Sequence, residues 1–77
     1  MILRLKQLRK ARGISQVKLA MDLNTGQNTI SRYENGEREP GIDELIRIAD
    51  YFRVSVDYLI GRTDYPDMYP VNNKEKA

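Results

Sequence analysis

Apolar residues recur three and four positions apart through the first sixty residues, and no run alternates in the way a half-buried strand requires. The spacing predicts five helices. The first covers about Ile2 to Arg12, with Leu5 and Leu8 inward and Gly13 placed to end it in a left-handed conformation. Ile14 then tucks toward the core. Leu19, Ala20 and Leu23 line one face of a second helix over about 15–23, with Ser15 as its N-cap. Lys18 stands where a capping box would place an acid, so the reciprocal bond is missing. Asn24 follows at a position that tolerates a left-handed residue, and Gly26 is a weak N-cap for a third helix over 27–35. Ile30 and Tyr33 are its inward residues, and Asn35-Gly36 closes it. After a charged loop to Pro40, Gly41 opens a fourth helix. Its Ile42, Leu45, Ile48, Ala49 and Phe52 give the strongest amphipathic signal in the chain. Val54 and the cap Ser55 lead into a short fifth helix with Val56 and Leu59 inward and Gly61 as its stop.

Five short helices around one apolar core make an all-α domain over residues 1–61. Its stability must come from packing, because helices this short are marginal alone. Residues 62–77 hold two prolines and a polar end, which predicts an irregular, partly disordered tail. The 77 residues allow one small domain, and no apolar run reaches the ~18 residues of a membrane span. With neither cysteine nor histidine, disulfides, thiolate chemistry, zinc sites and histidine-based acid–base catalysis have no residues to use. No paired carboxylates or Ser–Lys pattern supplies another catalytic centre. We therefore expect no enzyme, no cofactor, no metal and no small-molecule pocket. The net charge of +2 says little, but its distribution says more. Residues 1–38 carry +5 and residues 39–77 carry −3. A basic half suits a face that meets phosphates, although such asymmetry also arises without function.

The most informative stretch is 15–36, SQVKLAMDLNTGQNTISRYENG. It predicts two helices joined by a tight polar turn. On the second, Gln27, Asn28, Ser31 and Arg32 project away from Ile30 and Tyr33. Such side chains donate hydrogen bonds, accept them, or both, as reading base edges in a major groove demands. The plain alternative is an ordinary solvated helix face.

The set Leu5-x-x-Leu8-Arg9, Gly13-Ile14-Ser15-Gln16, Leu19-Ala20, Thr29-Ile30-Ser31-x-x-Glu34-Asn35-Gly36, Pro40, Leu45, Ile48-Ala49 and Val54-Ser55 decides between them. In this register the chain resembles the Cro/CI-type (XRE) helix-turn-helix family over about residues 3–61. The resemblance implies a lambda-repressor-like fold with the second motif helix in the major groove. It implies base contacts from Gln27, Asn28, Ser31 and Arg32; Ser31 could reach a base or a phosphate, and Arg32 could take guanine or clamp the backbone. It places Gln16, Lys18, Thr29, Asn35 and Arg38 at phosphates, with Gln16 reinforcing the positive end of its helix. Arg38 could equally be a free surface arginine. Arg9 and Glu34 are expected to form a structural ion pair. The chain also departs from the family. Val17 and Lys18 stand where Glu is common, Gly26 replaces a capping Ser or Thr, and Arg53 replaces the glycine that usually ends the fourth helix. That last change puts the left-handed geometry there in question.

The resemblance further implies a homodimer on a (pseudo)palindromic duplex operator, with half-sites about one turn apart. A chain this short puts the expected dimer contacts on Val56, Tyr58, Leu59 and Ile60 or on the tail. There Tyr65, Met68, Tyr69 and Val71 could pack across the dimer, fold back, or stay mobile. The expected role is a cytoplasmic transcriptional repressor of bacterial or phage origin, with no membrane partner. The alternative is an antitoxin or anti-regulator acting through protein contacts.

Overall fold

The computed structural model describes residues 3–67, and they form the expected all-α, five-helix domain. In order these are α1 (Leu5–Arg12), α2 (Gln16–Asp22), α3 (Gln27–Glu34), α4 (Ile42–Phe52) and α5 (Val56–Leu59). Leu5, Leu19, Ile30, Ile48 and Leu59, one from each helix, are fully buried. They anchor a single core with Leu3, Ala20, Leu23, Tyr33, Leu45, Ala49, Phe52 and Val54, and Leu8 and Ile14 pack at its edge. The close helix pairs are α2 with α3, α4 with α5 and α1 with α3.

α1 starts later than its periodicity predicts. Leu3 is buried, and the Arg4 N–H donates to the Leu59 carbonyl at 2.9 Å, so this segment packs onto α5 instead of extending the helix. Ile2 lies outside the described residues. At the other end of the domain, the Ser55 N–H donates to the Pro66 carbonyl at 3.0 Å. Arg4 bonds Asp64 at 3.0 Å and lies 4.2 Å over the Tyr58 ring. Residues 62–67 thus fold back beside the start of α5, with Tyr65 exposed. Met68, Tyr69 and Val71 lie outside the described residues.

All five helices end in one way. A left-handed residue (Gly13, Asn24, Gly36, Arg53 or Gly61) follows, and the next N–H bonds a carbonyl five residues back. For example, the Thr25 N–H reaches the Ala20 carbonyl at 2.9 Å and the Val54 N–H reaches Ala49 at 3.0 Å. Arg53 holds φ 57° and ψ 45°, so the left-handed geometry survives without glycine. The back-bond and the buried Val54 beyond it force that conformation despite the clash of its Cβ. These reversals keep the loops short, and the α2–α3 turn is one of them.

Candidate nucleic-acid interface

Helical geometry sorts the residues of α3. At ~100° per residue, Ile30 and Tyr33 define the buried direction, and Asn28 and Arg32 fall opposite them, one turn apart. Both are exposed, as is Gln27. Ser31 and Thr29 are half-buried on the two flanks. Ile30 at 0% and Tyr33 at 6% exposure fix the helix's rotation, so the outward position of Asn28 follows from packing. Gly26 provides no side-chain cap at the start of α3, whereas the Ser15 hydroxyl accepts from the Lys18 N–H at 3.0 Å in α2.

A chain of polar contacts ties the motif together. Arg9 grips Glu34 through Nε at 2.6 Å and Nη2 at 3.2 Å, and its Nη1 donates to the Ile14 carbonyl at 2.9 Å. The Glu34 side chain is 1% exposed and that of Arg9 12%. Burial opposes the guanidinium's charge, but the Glu34 hydrogen bond dominates and raises the Arg9 pKa. Gln16 Nε2 donates to the same carboxylate at 3.0 Å, and Gln27 Nε2 donates to Gln16 Oε1 at 3.4 Å. A carboxylate only accepts, so Gln16 must turn its NH2 toward Glu34 and its oxygen toward Gln27. Gln27 then presents its own oxygen and one remaining N–H outward. Gln16 and Gln27 are therefore joined before any ligand arrives, a link that their separate reading as phosphate and base contacts did not include.

The other predicted residues spread around this centre. Lys18 pairs with Asp22 at 3.1 Å across one turn of α2. Asn35 caps the C-terminal end of α3, about 12 Å along the axis from Gln27, and Arg38 is exposed in the following loop. Much of the basic excess of the first half is engaged within the protein. Arg4, Arg9 and Arg12 each bind a carboxylate or a carbonyl, Arg12 reaching the Tyr51 carbonyl at 2.9 Å.

Two residues of α4 escaped the sequence reading. The Tyr51 hydroxyl donates to Asp22 at 2.6 Å, and Arg47 Nη2 donates to the Leu23 carbonyl. Arg47 also bonds Glu44 at 2.8 Å. The Asp22 carboxyl is held below its ordinary pKa by the Tyr51 hydroxyl first and by Lys18 second, while that bond raises the Tyr51 pKa. The available signal was the spacing of Glu44, Arg47 and Tyr51 at i, i+3 and i+7, which places three polar tips along one flank of an amphipathic helix.

Two helices joined by a four-residue turn, the second locked by its core face and polar outside, define a helix-turn-helix domain. The chain belongs to the helix-turn-helix family HTH_3, whose pattern matches residues 5–59. It is 39% identical over 61 residues to the HTH-type transcriptional regulator ImmR of Bacillus subtilis, covering 79% of this chain and 48% of ImmR. It is 36% identical over 59 residues to the cryptic phage CTXphi transcriptional repressor RstR of Vibrio cholerae, covering 77% and 53%. The HTH-type transcriptional activator BcrR of Enterococcus faecalis is 28% identical over 71 residues, covering 92% and 35%. A crystal structure of a transcriptional regulator from Listeria innocua superposes with a TM-score of 0.70 at 36% identity, covering 91% of this chain and 61% of that one. The chain spans about half the length of ImmR and RstR. Among the described residues no helix is long and apolar enough to cross a membrane.

Proposed function

We propose that this domain binds double-stranded DNA sequence-specifically, with α3 in the major groove, and serves a transcriptional regulator that represses by covering a promoter. The carrying observation is the outward pair Asn28 and Arg32, exposed and opposite the two core residues that fix the helix. Asn28 pairs with adenine through N6 and N7, and Arg32 takes guanine or a phosphate. Gln27 reads from beside them, its amide oriented through Gln16, and Ser31 reaches a base at the flank. Gln16 keeps one N–H for a phosphate. Thr29, Asn35 and Arg38 supply further backbone contacts, and Lys18 exchanges Asp22 for a phosphate at small cost, since exposed pairs contribute ~0–1 kcal/mol.

Dimerisation on a (pseudo)palindrome completes the proposal, because one module contacts too few bases for operator specificity. Val56, Tyr58 and Ile60 of the α5 region are partly exposed and available for it. Leu59 is fully buried and drops out of that surface. The cytoplasm of a bacterium, or of a phage-infected one, is the compartment this reading implies. RstR is named a repressor and BcrR an activator, so the direction of control belongs to the proposal.

A protein-binding role has one observation in its favour. Val17 (48% exposed) and Met21 (72%) form an apolar strip along α2. Selection from random duplex DNA separates the readings. Enrichment of a palindromic site supports the regulator, and no enrichment at low salt sinks it. Asn28→Ala should then lose ~1–3 kcal/mol at the selected site and relax one base pair. An equal loss on every sequence would contradict its reading role.

A further inference from the structure

We propose that Glu44, Arg47 and Tyr51 form a brace that sets the α2–α3 turn, making Arg47 a positioning residue for base discrimination that touches no DNA. The inference rests on the DNA-binding reading above. All three tips lie on one flank of α4, and two of them meet the C-terminal end of α2. Arg47 satisfies the Leu23 carbonyl, in the residue that caps α2 immediately before left-handed Asn24. The last carbonyls of a helix have no partner within it, so a guanidinium at that point fixes where the turn begins. Glu44 holds the other terminal nitrogen of the guanidinium at 2.8 Å, which limits its rotation about the Leu23 contact. Tyr51 holds the adjacent Asp22 at 2.6 Å, so the last residue of α2 and its cap are both fixed from one helix.

The geometry matters because the α2–α3 turn is only Leu23 to Gly26, and the Gly26 carbonyl already accepts from the Thr29 and Ile30 N–H groups. A shift at Leu23 therefore passes directly into the start of α3, where Gln27 and Asn28 sit. Side chains of α4 thus reach the end of α2 directly, from 24 and 29 residues away in sequence. Base pairing through bidentate side chains tolerates little misplacement, whereas phosphate contacts tolerate more. Loss of the brace should thus impair discrimination before it impairs DNA binding in general.

The test uses the full chain and a duplex selected by the wild-type protein from random DNA. Arg47→Met, of similar length but without donors, should bind the selected duplex about tenfold more weakly and leave affinity for unrelated duplex unchanged. Arg47→Lys should recover part of the preference, since an ammonium can reach one carbonyl but cannot fork between Leu23 and Glu44. Tyr51→Phe, which removes one hydroxyl, should lose about twofold to threefold in the same direction and serves as the deciding variant if Arg47→Met does not fold. Unchanged preference in folded variants with a lowered Tm would overturn the inference, as would an equal loss on both duplexes. Failure of the wild-type protein to enrich any duplex would instead sink the DNA-binding reading, and the inference with it.

Discussion

Glu34, at the end of α3, accepts a hydrogen bond from Gln16, at the start of α2, at 3.0 Å, through the carboxylate that Arg9 grips from α1. Three helices thus meet at one nearly buried charge. A contact that spans the motif this way couples its stability to the posture of Gln16 and, through it, of Gln27.

Glu34→Gln tests that coupling. Removing one partner of a buried pair leaves the other uncompensated, at a typical cost of about 3–5 kcal/mol. Arg9 keeps the Ile14 carbonyl, so we expect the low end, about 3 kcal/mol, in chemical denaturation. The single oxygen left at position 34 cannot serve both Arg9 and Gln16, so the Gln16 amide becomes free to flip, and Gln27 with it. The preference for the base pair under Gln27 should weaken even where the variant is fully folded. Retained preference would show that Gln27 orients independently.

Gly26→Ser should improve both folding and binding. The glycine has extended geometry, φ −89° and ψ 153°, and a Cβ there meets nothing within 4 Å. A hydroxyl can cap the first turn of α3, worth a few tenths of a kcal/mol over glycine, roughly 0.3. On the proposed docking it also adds a donor near a backbone phosphate, so affinity should rise on all duplexes alike. A rise confined to one sequence would mean the hydroxyl reads a base.

Arg53→Gly addresses the left-handed end of α4. An L residue there carries a penalty of ~1–2 kcal/mol, and glycine's greater freedom in the unfolded chain returns part of it. The net gain should be about 0.5–1 kcal/mol, or several degrees in Tm for a domain this small. Arg53→Ala, with its Cβ retained, should show no such gain. Equal gains from both would place the effect in charge instead of backbone strain.

Tyr51→Phe carries a pH signature. Asp22 has a lowered pKa when folded, so its contribution is present above the ordinary carboxylate value of ~3.9 and lost as pH falls through the folded value. Tyr51 has a raised one, so its contribution holds below ~10 and is lost as pH rises through the folded value. The stability difference between wild type and Tyr51→Phe should therefore be flat through neutral pH and shrink at both extremes. A difference that persists in acid would exclude the Asp22 bond as its source.

The fold was largely legible because its signals are local. Each helix carries its own apolar stripe, and four of the five carry a readable stop at Gly13, Asn24, Gly36 or Gly61, whereas the left-handed Arg53 was in question until the structure showed it. Asn28 on the outer face follows from the same periodicity. What could not be read were contacts between side chains distant in sequence. Gln16 and Gln27 are eleven residues apart, and Arg47 and the Leu23 carbonyl twenty-four, so no helical period relates them. The partners of basic residues are equally non-local. Arg4 and Arg12 enter the charge count of the first half, yet they bond Asp64 and the Tyr51 carbonyl. The start of α1 moved because Leu3 is claimed by the core, a tertiary demand that periodicity does not carry.

The Arg4–Asp64 bridge has a topological consequence. It brings the two ends of the described chain within one side chain's reach, beside α5, so the five helices form a closed loop with a clasp. A circularly permuted chain that joins residues 3 and 67 across the clasp should keep the same core.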